Sequence, residues 1–244
     1  MQASKHYSKA PLTEAIIDFK VVLPGNVTTD TLSNIHLSIE DTFPAKEEIH
    51  QSSIMLQPGL ETPISTDQQL FGFLFRSVDR SKIFQVTLNS FTFNRLAPYT
   101  SWEELRADAK YVWEIYKSII KPETVTRVAI RFVNRFELPS TTSNLKTFLR
   151  IAPDVPPNLP QSEVSNFFMQ LLVPQEDCQL IISEAIVPPS NPETLSVILD
   201  FDLFREQVWR SDDDGIWQYL EKLRVLKNAV FEASITDETR RLIE

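Results

Sequence analysis

Three arginines recur along one short stretch of the chain, and their type and spacing could do chemistry. Arg127, Arg131 and Arg135 follow one another at intervals of four residues within the stretch 125–136. Side chains alternate between the two faces of a β-strand, so all three fall on one face, opposite a mostly apolar one. A guanidinium group offers a planar fork of donors that suits a carboxylate or a phosphate. The pattern predicts a strand with one charged face.

Like charges in a row require water, carboxylates or a bound anion around them, because an unpaired buried charge costs several kcal/mol. Acidic residues on other predicted strands are the candidate partners of the arginines. These carboxylates are Glu14, Asp18, Glu184, Asp200 and Asp202.

Three interpretations of this constellation stay open at the level of sequence. In the first, the charges form a structural network that fixes strand register. In the second, the arginines keep donors free for an anion such as a phosphate or a nucleotide. In the third, Asp200, Asp202 and Glu184 supply oxygen ligands for magnesium or calcium. We favour the network and expect neither a metal site nor a cofactor.

Motifs that would identify a reaction are missing from the sequence. Only 4 glycines are present, and neither a dinucleotide-binding fingerprint nor a phosphate-binding P-loop can be found. No serine stands in a nucleophile elbow, and Cys178 lacks a second cysteine at metal-ligand or redox spacing. We therefore predict no catalytic residues and lean towards a protein that is not an enzyme.

Composition restricts the class of partner and the compartment. The chain has 244 residues, 42% of them hydrophobic, and a formal net charge of −9. The acidic balance makes nucleic acid an unlikely partner. A single cysteine fits a reducing compartment, the opening residues are polar, and no run of about 18 apolar residues is present. We expect a cytoplasmic protein without membrane attachment.

Helices and strands alternate in a way that favours an α+β fold. Ser101 and Glu104 form a capping box before a helix at about 101–120, and a second long helix is expected at about 213–232. The strands come mostly in consecutive sets, which is typical of antiparallel sheets. We predict one predominantly antiparallel sheet, or several, with the two long helices packed on one side.

A proline-rich segment raises the question of domain number. Residues 139–161 contain several prolines, serines and threonines, a composition typical of a connection. We predict a single α+β domain over 1–244. The alternative is two halves, 1–138 and 162–244, joined by the segment 139–161.

Near its start the chain has Tyr7…Pro11-Leu12-Thr13-Glu14-Ala15-Ile16. This motif resembles the Tyr…Pro-Ile-x-Glu-Ala-Ile pattern of a sporadically distributed bacterial family of unassigned activity, with Leu12 in place of the isoleucine. The likeness continues in Arg127…Arg131-Phe132-Val133-Asn134-Arg135, in Leu199-Asp200-Phe201-Asp202 and in Phe231…Ile235-Thr236. The resemblance implies a bacterial, cytoplasmic protein and supplies no catalytic residues.

These observations together predict a non-enzymatic binding or interaction protein with a protein partner. The sporadic distribution of the family suggests a bacterial defence or toxin–antitoxin-like module. A homo-oligomer is also expected, because helices on one side of a sheet leave the other face to be covered. The alternative is a receptor or an enzyme for a phosphorylated small molecule or nucleotide, which would use Arg127, Arg131 and Arg135.

Overall fold

The computed structural model describes residues 7–54, 66–142, 144–156, 158–160 and 164–244. It is an α+β fold with one nine-stranded antiparallel sheet and four helices among these residues. The strands are β1 Leu12–Val22, β2 Ala45–Ile54, β3 Thr66–Arg76, β4 Lys82–Thr87, β5 Ser90–Leu96, β6 Thr124–Pro139, β7 Phe168–Pro174, β8 Gln179–Val187 and β9 Thr194–Arg210. The helices are α1 Thr29–Ser33, α2 Trp102–Ile120, α3 Gly215–Ser234 and α4 Asp237–Ile243.

The order of the strands in the sheet is β2-β3-β4-β5-β1-β6-β9-β8-β7. The arginine-bearing strand β6 therefore lies between β1 and β9, the two strands that carry most of the candidate carboxylates. The predicted fold class and the antiparallel sheet are confirmed.

The chain forms two compact units. The first unit contains Met1–Ala15, Ala129–Glu206 and Asp214–Glu244, and the second contains Ile16–Val128 and Gln207–Asp213. The division runs through β1, β6 and β9, and the proline-rich segment 139–161 lies within the first unit. The single domain over 1–244 and the alternative of two halves both stay predictions.

The second unit is built around aromatic side chains of the sheet and α2. The hydroxyl of Ser101 accepts a hydrogen bond from the Glu104 amide at 3.1 Å, which satisfies a donor at the start of α2. Trp113 of α2 packs edge-on against Phe19 and Phe91, with ring centroids 5.0 and 4.9 Å apart. The predicted serine cap is therefore present, and α2 packs an apolar side against these strands.

In the first unit, α3 is the helix that corresponds to α2. Its apolar side chains Ile216, Leu220 and Leu223 are buried. Further along the helix, the Lys227 ammonium lies 4.2 Å from the centre of the Phe132 ring on β6. α3 therefore contacts the apolar face of β6 at Phe132. The packing of both long helices on one side of the sheet stays a prediction.

The two edge strands of the sheet differ in charge. β2 carries Lys46, Glu47, Glu48 and His50 on its exposed residues, and Glu47 accepts a hydrogen bond from the Arg76 guanidinium at 2.8 Å. β7 has the sequence Phe-Met-Gln-Leu-Leu-Val-Pro and contains no charged residue. Charges on an edge strand discourage pairing with another chain, so β2 is protected in a way that β7 is not.

Among the described residues, no helix is both long enough and apolar enough to cross a membrane.

Candidate functional site

Strand register gives the first unit two distinct sheet faces. Arg131 and Asp200 lie on what we call the polar face, whereas Phe132 and Leu199 lie on what we call the buried face. In the ladder between β8 and β9, Ser183 stands opposite Asp200 and Glu184 stands opposite Leu199. Directly opposed residues point to the same side of a sheet, so Glu184 belongs to the buried face.

Arg131 and Asp200 form a bidentate ion pair on the polar face. The Arg131 Nε donates to the two Asp200 carboxylate oxygens at 3.0 and 2.9 Å, and Nη2 donates to Oδ2 at 2.6 Å. Hydrogen bonding to Asp200 raises the pKa of Arg131 against the opposing effect of burial. Only 6% of the Asp200 side chain is exposed, against 50% of Arg131. The arginine thus compensates a buried carboxylate while part of its own charge stays in contact with solvent.

Glu14 and Asp202 reinforce this pair electrostatically. Both carboxylates raise the pKa of Arg131 by charge attraction, and the contribution from Asp202 is the larger. Four of the predicted site residues thus interact electrostatically in the first unit, namely Arg131 with Asp200, Asp202 and Glu14.

Arg127 has its own carboxylate in the second unit. Its Nη1 donates to the Asp18 Oδ1 at 2.8 Å, and the Thr92 hydroxyl donates to the Asp18 Oδ2 at 2.8 Å. Both side chains are mostly buried. A mostly buried ion pair with a further hydrogen bond to the carboxylate is typical of a structural role.

Arg135 pairs with a carboxylate on its own strand. Its Nε donates to the Glu137 Oε1 at 2.8 Å, and its Nη2 donates to the Pro188 carbonyl and the Ser196 hydroxyl at 2.9 and 3.1 Å. Burial raises the pKa of Glu137, but hydrogen bonds from Ser196, Thr194 and Arg135 outweigh it and lower that pKa to about 2. The carboxylate therefore stays charged through the neutral range.

Glu137 is the member of this network that the sequence prediction missed. It follows Arg135 by two residues, and this spacing places both side chains on one face of a strand. The signal was present in the sequence, but the predicted strand ended before Glu137 was reached.

Glu184 does not join the charge network, contrary to the sequence prediction. It is 1% exposed, and its two carboxylate oxygens have no hydrogen-bond partner among the described residues. β9 separates β8 from the arginine strand, and the register turns Glu184 to the buried face. Burial raises the pKa of this carboxyl to about 8, so the protonated form predominates at neutral pH.

The structure does not bring the three candidate metal ligands together. Glu184 lies on the opposite face from Asp200 and Asp202. No group of three or more His, Cys, Asp or Glu side chains within the described ranges could hold a metal ion.

The buried face also holds a lysine with a shifted pKa. Burial, followed by repulsion from Arg224, lowers the pKa of Lys227 to about 8. Its ammonium lies over the Phe132 ring, and a ring face attracts a cation only weakly compared with a carboxylate.

Among the described residues, no strand pairs with the outer edge of β7, which offers backbone groups to another strand. The Gln175 amide donates to the Cys178 carbonyl and the Ile186 amide donates to the Phe167 carbonyl. Hydrogen-bonded pairs alternate along an antiparallel ladder, so odd-numbered residues of β7 bond to β8. The amides and carbonyls of Phe168, Gln170 and Leu172 consequently point away from β8 towards the edge, whereas Pro174 has no amide to offer.

Two apolar side chains stand exposed at the same edge. Phe168 is 71% exposed and Leu172 is 62% exposed, and Gln170 between them donates to the Ser183 hydroxyl at 3.1 Å. This contact places all three side chains on the polar face of the sheet. An edge strand with exposed apolar residues and no charge is a template for pairing with a further strand.

The comparisons with known proteins return no family. No family model matches the chain, and no curated protein is significantly similar to it. The function must therefore be inferred from the geometry of the molecule.

Proposed function

We propose that this protein is a non-enzymatic interaction protein that binds an extended polypeptide along β7. The observation that carries the proposal is the open, uncharged edge of β7, with Phe168 and Leu172 exposed beside outward-pointing backbone groups. Strand addition of this kind takes affinity from main-chain hydrogen bonds and specificity from alternate side chains.

The arrangement of the arginines supports a scaffolding role for that strand. Asp18, Asp200 and Glu137 each accept hydrogen bonds from one of the three guanidinium groups. A receptor for a phosphorylated molecule would need these donors for its ligand. The charge network therefore favours an interaction protein over the receptor or enzyme considered from the sequence.

The resemblance noted in the sequence adds one element to the proposal. We place the protein in a bacterial defence or toxin–antitoxin-like module, and this placement rests on the resemblance alone. In such a module the polypeptide bound at β7 would belong to a protein partner, which is either a different chain or a second copy of this one.

A short labelled peptide tests the binding edge directly. Its sequence is that of residues 167–174, with lysines added at both ends for solubility. We expect fluorescence anisotropy to give a dissociation constant of roughly 10 to 100 µM, since a short apolar strand in water gains a modest free energy of binding.

Two variants and one control complete the experiment. Gln170→Pro removes an outward-pointing amide and Leu172→Lys places a charge on the edge, so each should weaken peptide binding at least about tenfold. Leu37→Lys changes another exposed leucine, outside β7, in the same way and should bind the peptide like the unaltered protein. Equal binding by all four proteins, or none by the unaltered protein, would contradict the proposed function.

A further inference from the structure

We infer that the strand added to β7 is β7 of a second copy of this chain, related by a two-fold axis. This inference rests on the proposed function and names its partner. In a two-fold dimer the same surface is used by both copies, so the surface must complement itself. The geometry of β7 meets that requirement in its hydrogen bonds, its side chains and its charge.

Hydrogen bonding selects the register of the paired strands. Phe168, Gln170 and Leu172 carry the outward-pointing backbone groups. Antiparallel pairing about Gln170 sets Gln170 opposite itself and Phe168 opposite Leu172 of the second copy, so each of the three finds a residue that can bond back. A shift of two residues towards the end of the strand would oppose Phe168 with Pro174, which has no amide to donate.

The same register also brings complementary side chains of the two copies together. Directly opposed residues lie on one face of a sheet, so each exposed Phe168 contacts an exposed Leu172 of the second copy. The dimer contains this aromatic–aliphatic contact twice. The Gln170 amide groups meet at the axis, where they can hydrogen bond to each other.

Charge favours this arrangement in an acidic chain. β7 is neutral although the protein carries a net charge of −9. The acidic residues Glu176 and Asp177 follow β7 after Gln175. Antiparallel pairing about Gln170 separates these acidic residues of the two copies by roughly 40 Å along the strands, well beyond the Debye length of about 8 Å at physiological salt.

The size of the contact implies a weak dimer. A single pair of short strands buries less than the roughly 1,200 to 2,000 Å² of a standard stable interface. We therefore expect a dissociation constant in the micromolar range, with monomers at low concentration and dimers at high concentration.

Sedimentation velocity from about 1 µM to about 1 mM covers the range in which such an equilibrium is visible. The unaltered protein should shift from monomer to dimer across this range. Gln170→Pro and Leu172→Lys should raise the dissociation constant at least about tenfold, and Leu37→Lys should leave it unchanged. A monomer at every concentration, or dimers of equal strength in all four proteins, would overturn the inference.

Single cysteines test the register and do not depend on the stability of the edge variants. Both are made together with Cys178→Ala, which removes the natural thiol. Opposed residues of a hydrogen-bonded antiparallel pair have Cα atoms about 5.5 Å apart, within the range that a disulfide spans. Gln170→Cys should therefore form a disulfide-linked dimer on mild oxidation.

The matched control is Leu172→Cys, whose counterpart in the second copy lies four residues away along the strand, roughly 13 Å. It should stay monomeric under the same oxidation. Equal cross-linking of both variants, or of neither, contradicts the register. If the labelled peptide binds while the protein stays monomeric, the second copy is excluded and the proposed function stands; if neither occurs, both fail.

Discussion

The two sheet faces of the first unit treat charge in opposite ways. On the polar face, the buried Asp200 carboxylate accepts hydrogen bonds from Arg131 at both of its oxygens. On the buried face, Glu184 is equally inaccessible, finds no donor among the described residues, and its pKa rises to about 8. Carboxyl groups on neighbouring strands thus meet different surroundings because register turns them to different faces.

We infer from this difference that the Arg131–Asp200 pair stabilises the fold and that its two members are buried unequally. Its carboxylate is buried, while its guanidinium is half exposed. A charge left without compensation in the interior costs far more than one left in water.

The largest effect should come from Arg131→Met. This change leaves the buried Asp200 without its partner and should lower the free energy of unfolding by about 3 to 5 kcal/mol. Asp200→Asn leaves a half-exposed arginine that water can solvate, and it should lower that free energy by only about 1 to 2 kcal/mol. Urea unfolding at pH 7 measures both. Equal losses would show that the asymmetry of burial has no energetic consequence.

Glu184→Gln should raise stability and change its pH dependence. The folded-state pKa of about 8 lies above the usual value of 4.5, so the stability of the unaltered protein should fall as the pH rises between these two values. The glutamine amide cannot ionise. The stability of the variant relative to the unaltered protein should therefore be roughly 2 to 4 kcal/mol greater at pH 8 than at pH 4.5. Unfolding curves between pH 4.5 and pH 9 measure the difference. An unchanged pH profile would place the carboxyl in contact with water.

Lys227→Met should have the smallest effect, and its pH dependence should have the opposite sign. The pKa of Lys227 in the folded state is about 8, below the usual 10.5, so ionisation opposes folding fully below pH 8. The unaltered protein should gain stability as the pH rises from 8 to 10.5.

The methionine should stabilise the fold by about 1 to 2 kcal/mol at pH 7 and remove the gain at alkaline pH. The side chain of Lys227 is only half-buried, which limits the size of the effect. Thermal unfolding at pH 7 and pH 10 provides the measurement. A variant less stable than the unaltered protein at both pH values would show that the contact with Phe132 outweighs the cost of burying the ammonium.

Local sequence patterns predicted much of this architecture. The alternation around Arg131 identified β6, and the pairing of guanidinium groups with carboxylates follows from the charge pattern of the strands. The capping box at Ser101 and the spacing of apolar residues placed α2 correctly within a residue or two. These features depend on residues close together in the chain, where side-chain period and hydrogen-bonding geometry act directly.

Other features needed information that no local pattern contains. Glu184 was grouped with Asp200 because the register between β8 and β9 was unknown, and a one-residue slip reverses the face of every side chain. The open edge at β7 depends on strand order across the whole sheet. The sequence of a neutral strand such as Phe168–Pro174 is equally compatible with an edge strand and a central strand when its neighbours are unknown.

The charges on β2 have a consequence for assembly. A sheet with two adhesive edges can add further sheets without limit and grow into a fibre, whereas a sheet with one such edge completes its assembly as a pair. Lys46, Glu47, Glu48 and His50 make β2 a poor template for the next chain. In the proposed dimer, the charged edge would therefore stop the assembly at two copies, because only β7 would pair with another chain.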